Sequence, residues 1–279
     1  MTFARREQSY QPARSESHPT PVSGNQRKAA DGTAPYQADT SPSEPAISNV
    51  ILSSIPDEEY QIILPSLEPV TLARKCVLHQ ANEPIEYGYF PNGGIISFLV
   101  PVSEGRSTEV GMVGREGLVG AALAGGLDRS THVALVQVGG TAMRIPASRL
   151  TEILPWTRRL GALLTRYALI QGMQVAQTAA CNRLHNLEQR LARWLLMSQD
   201  RVGTNSLPYT QKLLASMLGT DRPSVSIAIG ALQKTGCMKQ HRGYVEIIDR
   251  TCLESSVCEC YRVVEEYNRK LDSESRGSL

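Results

Sequence analysis

The spacing of apolar and polar positions changes texture at about Ile47, Val70 and Arg149, and each texture predicts a different architecture. Residues 1–46 hold six prolines, many small polar residues and almost no aliphatic ones. Such a segment cannot offset its ordering entropy by burial, so a disordered tail is expected. From Ile47 the apolar positions Val50, Ile51, Leu52, Ile55, Tyr60, Ile63 and Leu64 predict one or two short helices. Between Val70 and about Ile145 the pattern breaks into short β-like runs: Val70–Leu72, Cys76–Leu78, Ile95–Val100, Glu109–Val113, Val133–Val138 and Thr141–Ile145. The turns between them contain Pro91-Asn92-Gly93-Gly94, Ser103-Glu104-Gly105 and Gly139-Gly140, and strands at this spacing predict an antiparallel roll or barrel. From Arg149 the period becomes helical. Leu150, Ile153 and Leu154 precede Pro155, and Leu160, Leu163, Leu164, Tyr167, Ile170, Leu184, Leu187, Leu191 and Leu195 follow at helix spacing. A near-continuous helix of roughly 40 residues exceeds what one small domain buries, so its seam is expected to be a dimer interface. Packing against the chain's own roll is the alternative, and Gln171, Gln174 and Gln177 interrupt the seam.

The stretch from Leu207 to Asp249 is the most structured in sequence terms. Thr210 is placed to cap a helix whose apolar face is Leu213, Leu214, Met217 and Leu218. Gly219 follows where a sharp turn is needed. Asp221 caps a second helix with Pro223 in its first turn, Val225, Ala228, Ile229 and Leu232 as its buried stripe, and Gly236 at its end. Met238–Arg242 and Tyr244–Ile248 then read as a hairpin turned at Arg242-Gly243. This is a winged helix-turn-helix, a unit that places the start of its second helix in the major groove of DNA. Arg222 is the expected base reader, because a guanidinium bonds guanine O6 and N7 together. Ser224 and Ser226 are further candidates for bases or phosphates, Lys234 points outward, and Thr210, Gln211, His241 and Arg242 suit the phosphate backbone.

Charge supports this reading. The 279-residue chain carries a formal net charge of only +2. Between Thr204 and Arg250, however, six Lys and Arg (Lys212, Arg222, Lys234, Lys239, Arg242, Arg250) face three acids, Asp221, Glu246 and Asp249. A local excess of this sign favours a polyanion. No apolar run approaches the ~20 residues of a membrane span and no signal-peptide core opens the chain, so no membrane partner and a cytoplasmic location are expected. The six cysteines (Cys76, Cys181, Cys237, Cys252, Cys258, Cys260) include no C-x-x-C pair and are expected as free thiols. Cys258-Glu259-Cys260 is the one close pair, and with no further ligand near it in sequence no metal site is assigned. There is no P-loop, H-E-x-x-H or G-x-S-x-G motif, so no enzyme is expected.

Within the roll, Gly114-Arg-Glu-Gly-Leu-Val-Gly-Ala-Ala-Leu is followed by Gly125-Gly-Leu-Asp-Arg-Ser. Glycine-rich backbone beside Arg129-Ser130 is suited to an anion. A roll, a long helix and a winged helix-turn-helix in this order, with the Thr210–Gly236 block and the spacing from Gly120 to Arg129-Ser130, resemble the Crp–Fnr superfamily of bacterial transcription regulators. The likeness runs from about Ile47 to Leu253. It implies an α+β fold with an N-terminal double-stranded β-roll of jelly-roll type over 47–155, a long dimerisation helix over 156–203, a winged helix-turn-helix over 204–254 and a helical or disordered C-terminal tail over 255–279. It implies as partners double-stranded DNA read as an inverted repeat, a second copy of the chain, RNA polymerase, and a small anionic effector in the roll. Residues Thr210 and Gln211 match the family's phosphate-gripping positions and Arg222 its first base reader. The next two base-reading positions, Glu and Arg in one branch, are Pro223 and Ile227 here, so a different DNA sequence is expected. Of the effector pocket, Arg129-Ser130 matches the phosphate-binding pair, whereas the ribose-binding Gly-Glu pair reads Gly120-Ala121. Cyclic AMP is therefore not the expected effector, and with no cysteine in the first 75 residues neither is the iron–sulfur cluster of the oxygen-sensing branch; no cofactor is assigned. His79 and His132 are the histidines available to a haem. A ligand-binding module acting through protein contacts is the alternative function.

Overall fold

A computed structural model describes residues 47–102 and 107–276. The expected disordered tail and the expected turn at Ser103-Glu104-Gly105 lie outside the described residues.

The N-terminal part is an antiparallel roll of two sheets. After helix α1 (Asp57–Ile63), strands β1 (Glu68–Leu72), β7 (Gly140–Pro146) and β3 (Tyr87–Pro91) form one sheet in the order β1-β7-β3. Strands β2 (Val77–His79), β6 (Val133–Val138), β4 (Ile95–Pro101) and β5 (Ser107–Val113) form the other in the order β2-β6-β4-β5. Registers are fixed by pairs such as Glu68 with Arg144 and Phe98 with Gly111. Phe90, Ile96, Phe98, Val113, Leu118, Val119 and Ile145 fill the interior. β3 is an addition to the strands that the short β-like runs predict. Its sequence, Tyr-Gly-Tyr-Phe-Pro, is bounded and interrupted by turn-type residues, and it takes its place by pairing with β7.

Helix α2 (Ala147–Ile153) closes the roll and leads to α3 (Arg158–Leu184). Here the expectation of one long helix over 156–203 is corrected. The helix ends at Leu184, His185 is extended, and α4 (Leu187–Val202) starts afresh. Asn186 makes the new start: its side chain accepts from the Gln189 N–H at 2.9 Å while the Gln189 side chain accepts from the Asn186 N–H at 3.3 Å. This reciprocal cap restores about 1 kcal/mol of what the interruption loses.

The seam is corrected as well. Leu160, Leu163, Leu164, Tyr167 and Ile170 do not await a second chain; they are buried in the roll's own core. At about 1.5–3 kcal/mol for each large apolar side chain removed from water, this face decides how α3 lies. Tyr167 fits only because residue 117 is glycine, since a Cβ there would sit 1.9 Å from the tyrosine ring. The outward face carries Leu169, Met173, Ala176, Ala180 and Leu184 at i, i+3 or i+4 spacing, all exposed. Among the described residues no helix is long and apolar enough to cross a membrane.

A second core joins α4 to the roll's four-stranded sheet. Trp194, Leu195 and Leu196 pack with Ile95, Leu99 and Met112 and with the C-terminal domain's Leu207, Tyr209 and Leu214. At this contact Glu109 of β5 is fully buried. It accepts from the Ser97 hydroxyl and from the Trp194 indole N–H at 2.7 Å. Desolvation pushes its carboxyl up to about 7, against the pull of those two donors and of Arg193 and Arg201 on α4. A folded-state value raised above the unfolded one gives a contribution complete below about pH 4 and lost as pH rises through about 7. Between about pH 5.5 and pH 8, wild-type thermal midpoints should therefore fall more steeply than those of Glu109→Gln, by several degrees. Parallel melting curves for the two proteins would show that Glu109 does not titrate there.

Candidate nucleic-acid interface

The C-terminal domain is built from capped local pieces. Strand β8 (Ser206–Leu207) leads to α5 (Gln211–Met217), where the Thr210 hydroxyl accepts from the Leu213 N–H at 3.2 Å. Gly219 turns the chain at φ +61. A Cβ there would be strained by that backbone and would meet Thr108 Oγ1 of the roll at 2.9 Å. α6 (Arg222–Lys234) then starts on Asp221, whose carboxylate accepts from the Ser224 N–H at 2.8 Å and the Ser224 hydroxyl at 2.9 Å. Those two donors hold the Asp221 carboxyl below its ordinary value. Val225, Ala228, Ile229 and Leu232 are buried, as the spacing predicts. β9 (Met238–Gln240) and β10 (Val245–Ile247) form the wing, and β8 adds a third strand through Val245 with Leu207, a pairing too short to read from pattern.

This scaffold presents one polar face. Arg222 is exposed on the first turn of α6, its Nε donating to Gln211 Oε1 at 3.4 Å, so the starts of both helices meet there. Ser226 is exposed and Ile227 is 76% exposed on the same helix. Ser224 is half-buried, with its hydroxyl proton committed to the Asp221 cap. Lys234 is exposed at the far end of α6. At the wing tip the His241 ring stacks on Tyr244 at 4.4 Å and its Nε2 lies 3.0 Å from Glu246 Oε2, leaving Arg242 exposed beside Gly243. Gln211 and Arg222 are thus in contact, and Thr210, Ser226, Lys234 and Arg242 are exposed on the same domain.

Of the four residues expected in an effector pocket, Gly120 and Ala121 belong to a tight turn and Arg129 and Ser130 bond to neighbouring backbone. Gly120 caps a short 3-10 turn over Ala121–Gly125, and Ala121 is buried in the roll core. The Arg129 guanidinium donates to the Asn82 carbonyl at 2.7 Å, and the Ser130 hydroxyl accepts from the His132 N–H at 3.3 Å. His79 and His132 do meet, with ring centroids 5.7 Å apart. Burial lowers both imidazoles, that of His132 to about 4, so the pair is neutral at neutral pH. A cavity of about 1090 Å³ lies elsewhere, lined by Arg115, Glu116, Arg159, Arg201, Tyr261 and Arg269 among others, and by none of the four expected effector residues.

The cysteines depart from expectation in two ways. Cys237 and Cys252 form a disulfide, brought together where Ile248 and Asp249 both donate backbone N–H to the Cys237 carbonyl. This bridge ties α7 (Arg250–Ser256) to the base of the wing and corrects the reading of six free thiols. Further, the Cys258-Glu259-Cys260 pair has neighbours after all. At the start of α8 (Cys260–Arg276) it faces Cys181 and His185 from the end of α3, neighbours that local sequence does not bring near it.

With this geometry the comparisons with known proteins agree. Residues 189–256 match the family model of the Crp-like helix-turn-helix domain. The fold is similar to that of a putative transcriptional regulator of the Crp/Fnr family from Eubacterium rectale, at 17% identity, covering 76% of this chain and 97% of that one with a TM-score of 0.58. It is similar to FixK2 from Bradyrhizobium japonicum at 14% identity, 69% and 98% coverage and a TM-score of 0.58. It is also similar to a putative cAMP-binding regulatory protein from Silicibacter pomeroyi at 22% identity, 75% and 96% coverage and a TM-score of 0.52. No curated protein matches. The class that this match defines, for residues 189–256, is that of Crp-like helix-turn-helix domains. The fold as a whole is similar to that of the Crp/Fnr regulators.

The turn that joins the two helices yields a direct test. Gly219→Ala should lower stability by about 1–2 kcal/mol from the left-handed backbone alone, and by more through the contact with Thr108. Adding Thr108→Ala should recover the second part and not the first, as read from denaturant midpoints. Full recovery would mean that the backbone at Gly219 relaxes freely.

Proposed function

We propose that the chain binds an inverted-repeat DNA site as a homodimer, reading bases with Arg222, Ser226 and Ile227 and gripping phosphates with Thr210, Gln211, Lys234, His241 and Arg242. The observation that carries this reading is the exposure of Arg222, Ser226 and Ile227 on one face of a helix whose opposite face is fully buried. Ser224 serves through its cap, setting the direction of the helix start. Ile227, with 76% of its surface exposed, is an isolated apolar side chain on that polar face and suits a thymine methyl. Pro223 beside it has no hydrogen-bonding side chain, so cytosine is not read there. RNA polymerase is the further partner by resemblance to the family.

The second copy is supported by the outward stripe Leu169, Met173, Ala176, Ala180 and Leu184 on α3. Antiparallel or parallel pairing of such a stripe buries it as a coiled-coil seam does. Two copies joined there carry two recognition helices, as an inverted repeat requires. For a small anionic effector, Arg129 is the residue offered, and it would exchange the Asn82 carbonyl for the ligand; Ala121 supplies no carboxylate for a ribose.

Arg222→Ala should cost about 1–3 kcal/mol of discrimination between the selected site and random DNA while leaving salt-dependent non-specific binding in place. Equal losses on both DNAs would assign Arg222 to the backbone instead. Leu169→Asp with Met173→Asp should sediment as a monomer at micromolar concentration, retain its melting transition, and lose affinity for the two-half-site DNA. A dimer that survives both changes would place the interface on another face.

A further inference from the structure

The end of α3 and the start of α8 assemble four side chains that DNA binding does not use. Cys181 and His185 stand four residues apart, one on the last turn of α3 and the other just past it, and so share a face. Cys258 and Cys260 approach them on either side of Glu259. The four ligand atoms lie within 4.8 Å of one another. Cys181 Sγ is 3.6 Å from Cys258 Sγ, and Cys260 Sγ is 3.5 Å from His185 Nδ1. The three cysteines form a buried cluster of their own. We propose that Cys181, His185, Cys258 and Cys260 bind one tetrahedral divalent ion, zinc by the chemistry of the set, which ties the C-terminal helix to the α3–α4 junction.

Geometry favours a single ion. A tetrahedron with metal–sulfur bonds near 2.3 Å has edges of about 3.8 Å, and two edges already stand at 3.6 and 3.5 Å. A four-iron cluster places its own core between the thiolates and needs them held further apart. Three thiolates and one imidazole are a soft donor set that selects zinc over magnesium or calcium.

The surroundings are those of a ligating histidine. His185 Nε2 lies 3.2 Å from Glu259 Oε1, so a proton on Nε2 directed at the carboxylate leaves Nδ1 free as the ligand atom. A carboxylate in this place orients the ring and raises its basicity. Gln177 Nε2 donates to Cys260 Sγ at 3.1 Å, an interaction that a thiolate accepts better than a thiol. Three thiolates around a dication leave one negative charge, and the buried Arg193 lies where its positive charge acts on Cys181. On loading, the three thiol protons pass to solvent and no oxidant is needed.

The test uses the full chain, with zinc(II) and cobalt(II) as probes. Protein dialysed against metal-free buffer should retain one zinc per chain. Its cobalt-loaded form should show tetrahedral d–d absorption and thiolate-to-cobalt charge transfer. Cys258→Ser with Cys260→Ser should abolish both, Glu259→Gln should keep the stoichiometry but weaken affinity about 10–100-fold, and the distant Cys76→Ser should change neither. Should the double variant fail to fold, the wild-type cobalt spectrum and the fall in melting temperature on chelation decide the matter. Substoichiometric zinc in folded wild-type protein, an iron–sulfur spectrum, or a Cys181–Cys258 disulfide by thiol counting would each overturn the proposal.

Discussion

The structure depends on where its longest helix is forced to stop. α3 lies on the roll and buries Leu160, Leu163, Leu164, Tyr167 and Ile170 in one core, whereas α4 buries Leu191, Trp194 and Leu195 in another. Burying both sets needs a change of direction between them. The chain makes it at His185-Asn186, where the extended His185 breaks the ladder and Asn186 caps the next helix. The loss of helical hydrogen bonds is small beside two apolar faces worth several kcal/mol each, so packing wins over continuity.

That bend makes the DNA-binding domain part of a core it shares with the roll. Trp194 and Tyr209 pack together at 4.5 Å over Met112 and Ile95, and Arg201 of α4 meets Glu116 of the roll at 2.7 Å with both side chains largely buried. A second tie runs through Arg250, which bonds Asp200 at 2.9 Å and Tyr261 at 2.7 Å and so links α4, α7 and α8. The orientation of the recognition helix is thus set by buried contacts rather than by a free linker.

Local chemistry was the most legible part of this chain. Caps and turns act within a few residues, so Thr210, Gly219, Asp221 and Gly236 mark the helix-turn-helix by residue type and spacing alone, and each of them sits at a cap or a turn of the folded chain. Short β-like runs between turn residues likewise mark β4, β5 and β6. What the pattern cannot say is which partner an apolar face meets: the Leu160–Ile170 stripe reads first as a dimer seam and only second as an intramolecular contact, and the roll's shape, with Gly117 open to Tyr167, decides for the second. The four-ligand cluster was hidden for a related reason. Cys181 and Cys258 are 77 positions apart, and only the i, i+4 pair of Cys181 with His185 on a helical pattern, set beside Cys258-x-Cys260, hints at it.

The same bend explains why the cluster sits where it does. A helix that ends in the open exposes its last carbonyls and frays, and the end of α3 is also the point where the chain leaves the roll for the DNA-binding domain. The chain returns to this point at the start of α8, bringing Cys258 and Cys260 against Cys181 and His185. Covering the junction from outside removes its freedom without lengthening the helix, which the two cores forbid. A change in the α3–α4 angle would have to break the Asn186 cap and part these four side chains together. The direction in which the chain presents Arg222 thus depends on this junction together with the buried contacts of α4 with the roll.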